Sequence, residues 1–243
     1  HNFIEAFSNV DNSKLLAISS NNLEKLSKYK DLFKIEEKYI FDNYESLIKC
    51  KDIDIVYISL PNSLHFHWIK KCIENKKKIL IEKPATLNFD EAKEITKKVI
   101  EKDIFFTEGF MYRYHPQIHK VIEIIRDGQI GDLVSMQSSF GKNLLTKKKF
   151  FFFNSKKRIK NNNRLFDKNL GGGCILDLGC YTTSFSLLIV SLINNIDYKK
   201  FELSNVRKII GETGVDIDSE GLLLFENGFT SEIKASFKKN LGS

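Results

Sequence analysis

Proline is scarce in this chain: Pro61, Pro84 and Pro116 are the only three in 243 residues. That rules out a polyproline spacer, and no stretch has the composition of a disordered linker. Cysteine is nearly as sparse. Cys50, Cys72, Cys174 and Cys180 include no Cys-x-x-Cys pair, so they read as reduced thiols, not as a disulfide framework or a zinc site, and no metal is expected. Long apolar runs are missing too. The longest, 185–193, is interrupted by Ser186 and Ser191 and falls short of the roughly 18 residues a membrane span requires. The first residues, His1-Asn2-Phe3-Ile4-Glu5, have neither the basic start nor the apolar core of a signal peptide. The expectation is a cytoplasmic protein with no membrane partner.

Charge is the one imbalance, with 38 basic residues against 31 acidic ones and a net charge of +7. Most of the lysines are scattered among acids. One cluster stands apart, Lys147, Lys148, Lys149, Lys156, Lys157, Arg158, Lys160 and Arg164 around Phe150–Phe153. Basic residues beside aromatics can bind single-stranded nucleic acid. A lysine-rich surface loop covering its own aromatic plug is the simpler reading, so no nucleic-acid partner is expected.

The chain is organised around Lys78-Ile79-Leu80-Ile81-Glu82-Lys83-Pro84. A short unbroken aliphatic run reads as a buried strand of a parallel sheet, although periodicity alone does not exclude a helical segment. Proline biases Lys83 to an extended conformation and cannot donate to a ladder, so the strand ends there. Ligands of open α/β sheets sit beyond the carboxyl ends of the strands. Lys83 therefore stands where chemistry is expected, or else Glu82 and Lys83 are a solvated pair at an ordinary strand exit.

Other segments extend this pattern. Helix-like spacing runs over 2–10. A strand at 15–18 leads into Ser19-Ser20-Asn21-Asn22, a turn and cap for a helix over 23–33. A short strand at 39–41 precedes a helix opened by Asn43. The run 53–60 is a strand stopped by Pro61-Asn62-Ser63, with a helix to Asn75. After the Lys83 strand come a charged helix to Lys102 and a strand at 104–107. Strands alternating with helices indicate βαβ units and a parallel sheet. No Gly-x-Gly-x-x-Gly follows any early strand. A dinucleotide-binding half needs a first strand and that glycine turn, so the chain is expected to be a fragment lacking its first unit, or a protein that has lost it.

Beyond Phe106 the pattern changes. A half-buried strand is expected at 132–140 and a long apolar helix from Leu170 to Ile193. Strands at 206–211, 220–225 and 229–237 come next, the last two joined by Glu226-Asn227-Gly228, a hairpin signal. The fold class is thus α/β: a Rossmann-type parallel sheet lacking its first strand, then an α+β domain with a mostly antiparallel open sheet. The boundary is placed at Thr107, giving domains 1–107 and 108–243.

Four segments carry a resemblance. They are Val56-Tyr57-Ile58-Ser59-Leu60-Pro61-Asn62-Ser63-Leu64-His65, Glu82-Lys83-Pro84, Glu108-Gly109-Phe110-Met111-Tyr112-Arg113-Tyr114-His115-Pro116, and Gly171-Gly172-Gly173-Cys174-Ile175-Leu176-Asp177-Leu178-Gly179-Cys180-Tyr181. In this order and spacing the chain resembles the glucose–fructose oxidoreductase / inositol dehydrogenase family (Gfo/Idh/MocA). It is most similar to the dihydrodiol and xylose dehydrogenase branch, where a tyrosine replaces the commoner histidine in the last motif.

The resemblance implies a nicotinamide cofactor, NADP or NAD, a sugar or vicinal-diol substrate, and a homo-oligomer when full length. It also implies that the final strands are missing after Ser243. It assigns Lys83 to the reacting alcohol, where a cation stabilises developing alkoxide charge and favours ionisation of a neighbouring acid. Tyr181 is the candidate base and Asp177 lies beside it, four residues earlier, on the same helix face. The glycines 171–173 would let backbone approach cofactor or substrate. Lys83 and Tyr181 are expected to converge although they fall in different domains. For the cofactor, the resemblance implies Pro61, Asn62 and His65 near ribose and pyrophosphate, Ser20 and Asn21 at the adenosine ribose, and Glu82, Lys83 and Arg113. Asn21 is neither the acid that favours NAD nor the arginine that favours NADP, and nearby Lys25 tilts the choice slightly to NADP. Glu108 and Arg113 line the cleft or form a structural ion pair. An NAD-using glycosidase, recognisable by redox-neutral turnover, is the alternative enzyme. A non-catalytic nucleotide- or sugar-binding relative is the alternative outside catalysis.

Overall fold

The computed structural model describes residues 2–5, 10–149, 153–156 and 163–241. Two compact units are formed. The first comprises 1–58, 66–81 and 93–107; the second comprises 59–65, 82–92 and 108–243. The stretches after two strands of the first unit, 59–65 and 82–92, therefore group with the later part of the chain.

The first unit begins with α1 (Asn2–Glu5), and the rest of the expected 2–10 helix lies largely outside the described residues. β1 (Ile18–Ser19) leads to α2 (Leu23–Phe33), whose cap is Asn22, its Oδ1 accepting the Lys25 N–H. β2 (Ile40–Phe41) leads to α3 (Tyr44–Lys49), capped in the same way by Asn43, which accepts the Ser46 N–H. Then come β3 (Ile55–Ile58), α4 (Asn62–Glu74), β4 (Lys78–Ile81), α5 (Phe89–Glu101) and β5 (Phe106–Glu108). Asn88 accepts the Glu91 N–H while Glu91 accepts the Leu87 N–H, a reciprocal cap at the start of α5.

β1 and β2 pair in parallel, and β3, β4 and β5 form a separate sheet with β4 central. In the doubly wound order 3-2-1-4-5-6, these are the 3-2 pair and the 4-5-6 trio. No strand joins them among the described residues. Ile79 and Ile81 are fully buried and Leu80 half so, so β4 buries one face completely and the other in part. Lys77 is buried as well. Its Nζ donates to the Cys50 and Ile53 carbonyls at 2.6 and 2.7 Å, neutralising the carboxyl end of α3.

The second unit contains α6 (Pro116–Arg126), β6 (Ser135–Gly141), β7 (Thr146–Lys149) and β8 (Phe153–Lys156). α7 (Cys180–Val190) succeeds a π turn at Ile175–Gly179, and β9 (Phe201–Ile210), β10 (Asp216–Phe225) and β11 (Thr230–Ser236) complete it. The sheet order is β6-β11-β10-β9. β9–β10 and β10–β11 are antiparallel, whereas β11–β6 is parallel. The open sheet is therefore mixed, and mostly antiparallel as expected. Asn227-Gly228 turns the β10–β11 hairpin, with Gly228 at φ +86°.

α7 packs on this sheet through Val190, Leu223, Phe225, Phe229 and Ile233. The π turn packs through Cys174 and Leu178 onto Val215, Ala235 and Phe237. Three expectations change here. α6 was unforeseen. The single helix over 170–193 is short turns, a π turn and α7. The lysine-rich loop contains the antiparallel pair β7–β8 and Arg164 opens a short 3-10 turn, while Phe150–Phe152, Lys157, Arg158 and Lys160 lie outside the described residues. The stretch Lys168–Val190 has the length and apolarity of a membrane-crossing helix, yet half of its most apolar window is buried inside the protein.

Candidate active site

The turns that leave the parallel strands are pinned by side chains. His65 is fully buried, and its ring nitrogens lie 2.8 Å from the Pro84 and Leu60 carbonyl oxygens. Glu108 accepts the Ala85 N–H at 2.7 Å. Lys83 thus precedes two residues, Pro84 and Ala85, whose backbone is held from different elements. The Lys83–Pro84 peptide is cis.

Against Lys83 stands the π turn. Its Nζ donates to the Asp177 carbonyl oxygen at 2.6 Å and to the carboxylate Oδ1 at 3.0 Å. The two side chains are only 14% and 16% exposed, so solvent screens the pair weakly. Nζ also lies 4.9 Å from the centre of the Tyr181 ring, within cation–π range. Lys83 therefore meets both Asp177 and Tyr181, and all three belong to the second unit. Single-turn π bulges recur at functional sites, and this one carries Asp177 and delivers the chain to Tyr181.

Tyr181 is held by its ring. Phe110 and Phe140 meet it edge-on at 5.5 and 5.6 Å, and Tyr112 is tilted against it at 6.1 Å. Burial in this setting pushes the hydroxyl up to about 12, reinforced by Cys180, Glu82 and Asp177. This corrects the expectation that Lys83 would draw Tyr181 toward neutrality. The lysine faces the ring, and two of its three N–H donors go to Asp177. Burial also pushes the Cys180 thiol up to about 12 against the opposing pull of Lys83. It raises the Glu108 carboxyl as well, opposed by the Ala85 N–H, Arg113 and Lys83.

The remaining candidates separate by position. Asn62 is buried and donates Nδ2 to the Gly171 carbonyl at 3.0 Å. Arg113 donates Nη2 to the Ser184 hydroxyl at 2.9 Å, and that hydroxyl also bonds the Tyr112 hydroxyl. Arg113 and Glu108 thus attract one another but are each bonded elsewhere. Pro61 and Glu82 lie in the strand-exit segments of the second unit, while Ser20 and Asn21 belong to the first.

The glycines approach the protein's own chain. A Cβ on Gly171 (φ +75°) would come within 2.5 Å of Leu87 Cδ2, and one on Gly173 (φ +120°) within 2.2 Å of Asp216 Oδ1. Ser184 and the aromatic set around Tyr181 were not foreseen; the signal available for the latter was the density of rings in Phe110–Tyr114.

Comparison with known proteins bears on this arrangement. Residues 1–110 match the family model described as the Gfo/Idh/MocA oxidoreductase family, NAD-binding Rossmann fold, and residues 118–242 match its C-terminal domain. The chain belongs to the Gfo/Idh/MocA family. Similar Gfo/Idh/MocA relatives include a trans-1,2-dihydrobenzene-1,2-diol dehydrogenase of Xenopus laevis, 27% identical over 203 residues, covering 84% of this chain and 54% of that one. A D-xylose 1-dehydrogenase (NADP(+)) of Haloferax volcanii is 28% identical over 221 residues, covering 91% and 61%. The chain thus spans little more than half the length of these relatives. Among solved structures, an aldose-aldose oxidoreductase from Caulobacter crescentus complexed with glycerol superposes with a TM-score of 0.80 at 20% identity, covering 98% of this chain and 67% of that one. That likeness speaks for the fold.

Proposed function

We propose that this chain is the greater part of an NAD(P)-dependent oxidoreductase that transfers hydride between a nicotinamide cofactor and a sugar or vicinal-diol hydroxyl. The observation that carries the reading is the meeting of Lys83 with Asp177 and with the Tyr181 ring. A nicotinamide, when bound, supplies the hydride acceptor or donor. The first unit offers a fit to such a group: Ser19 Oγ, at the end of β1 and next to Ser20 and Asn21, is buried without a hydrogen-bond partner among the described residues. Ser20 and Asn21 would hold the ribose there. In the second unit, Pro61, Glu82 and Lys83 would hold the cofactor where the chain leaves the parallel strands. NADP is favoured over NAD by the positive charge of Lys25 near Asn21 and by the cofactor named for the Haloferax relative.

Lys83 holds a positive charge where substrate oxygen becomes negative, and fixed charge of that kind acts mainly on the transition state. Asp177 orients Lys83 through two hydrogen bonds. With its hydroxyl pushed up to about 12, Tyr181 keeps its proton at neutral pH. It serves as the acid when a carbonyl is reduced, and in its ionised form as the base when an alcohol is oxidised. Oxidation should therefore quicken as pH rises, while reduction should hold level until the pH nears that value. The test is turnover of D-xylose and of a trans-dihydrodiol by the intact protein with NADP or NAD, monitored by nicotinamide absorbance. Absence of turnover with both cofactors and both substrate classes would remove this reading.

A further inference from the structure

The turn carrying Asp177 is capped from outside its own helix. Helices begin with orphan N–H groups that need acceptors, and Cys174, at the cap position, accepts none of them with its side chain. Asp216, the first residue of β10, takes that place. Its Oδ2 accepts the Ile175 backbone N–H at 2.8 Å, the Cys174 thiol at 3.0 Å and the Ser219 hydroxyl at 3.4 Å. Its Oδ1 fills the space a side chain on Gly173 would need. A carboxylate at a helix N-terminus also complements the positive end of the macrodipole. The contact bridges residues 41 positions apart, so it ties the turn to the sheet independently of the helix's own packing.

We propose that Asp216 is a positioning residue of the oxidoreductase centre. By anchoring Ile175 and Cys174 it sets the rotation and axial position of the π turn, and so places Asp177 and Tyr181 against Lys83. This rests on the function proposed above. Asp216 touches none of the reacting groups, so its effect reaches chemistry only through that placement. Displacement of a reacting group by about 1 Å can cost about 10²-fold in rate, which sets the scale of the effect.

The test compares the intact wild-type protein with Asp216→Ala and Asp216→Asn. Hydrogen exchange over 173–181 is measured without substrate, and kcat and KM with NADP and the best sugar or diol. Asp216→Ala should expose the Ile175 amide to exchange and lower kcat by about 10–100-fold, with KM for NADP within about twofold. Asp216→Asn keeps an acceptor oxygen for Ile175 and should recover most of both properties. If Asp216→Ala does not fold, the same comparison of Asp216→Asn with wild type decides, with kcat expected within about fivefold and Ile175 still protected. Unchanged exchange over 173–181 in Asp216→Ala overturns the anchor whatever the activity. Wild-type turnover with an unaltered Asp216→Ala kcat overturns the positioning role alone. A wild-type protein with no turnover on any sugar or diol would bring down the functional reading itself.

Discussion

Replacing Lys83 by methionine keeps the side-chain stem against the Tyr181 ring and removes only the charge and its donors. At 3.0 Å the attraction between Lys83 and Asp177 is about 5.5 kcal/mol at an effective dielectric of about 20. Most of it offsets the desolvation of the two groups. The informative quantity is the cost of removing one partner. A buried carboxylate left alone costs about 3–5 kcal/mol. With the pair 14–16% exposed, Lys83→Met should fall near the lower end, at about 3 kcal/mol. Asp177→Asn should cost a similar amount by removing the carboxylate charge that balances the ammonium. The double variant should cost about 2 kcal/mol less than the sum of the singles. The assay is denaturant unfolding of all four proteins at pH 7, monitored by circular dichroism. Additivity within about 0.5 kcal/mol would show that the pair is not coupled and refute the placement of Lys83.

The same geometry sets other outcomes. His65→Ala removes the ring whose nitrogens lie against the Leu60 and Pro84 carbonyls at a fully buried position. It should destabilise by about 3 kcal/mol in thermal unfolding; a change under about 1 kcal/mol would contradict the clamp. Gly171→Ala forces a Cβ to within 2.5 Å of Leu87 from a left-handed backbone. It should cost more than about 2 kcal/mol, and wild-type stability would contradict the close approach. Cys180, with its thiol pushed up to about 12 by burial, stays neutral throughout the physiological range. Its alkylation by iodoacetamide at pH 8 should be about 10³-fold slower than that of a free thiol, because only the thiolate reacts; labelling at the rate of free cysteine would contradict it.

Much of this arrangement was legible in the sequence because it is local. Proline after Lys83 ends β4 where a lysine can face a ligand. Asn22 and Asn43 cap the helices they precede, and Asn227-Gly228 can hardly be anything but a hairpin. α6 is equally legible: Pro116 at its start and the spacing of Ile118, Val121, Ile122 and Ile125 announce an amphipathic helix. What could not be read depends on distant contacts. The π turn arises inside a stretch whose spacing looks α-helical. Its anchor at Asp216 is invisible without the fold that brings β10 back to it. The family resemblance placed Tyr181 near Lys83 but could not tell whether the lysine would face the ring or the hydroxyl, and the buried setting of the ring reversed the expected shift of the tyrosine.

The central claim is that Tyr181 moves the proton at a site charged by Lys83, and kcat against pH tests it most directly. The measurement uses the intact protein with NADP and a pentose or diol, in both directions, for wild type, Tyr181→Phe and Tyr181→His. With the wild-type hydroxyl pushed up to about 12, oxidation should rise steadily through the alkaline range, while reduction should stay level until the pH approaches that value. Tyr181→Phe keeps the ring packed against Phe110 and Phe140 and should lose about 10²–10⁴-fold in kcat with its pH dependence flattened. Tyr181→His, with an imidazole whose ordinary value is about 6.5, should keep partial activity with the optimum moved to lower pH. A Tyr181→Phe enzyme with unchanged kcat and an unchanged pH profile would contradict the account.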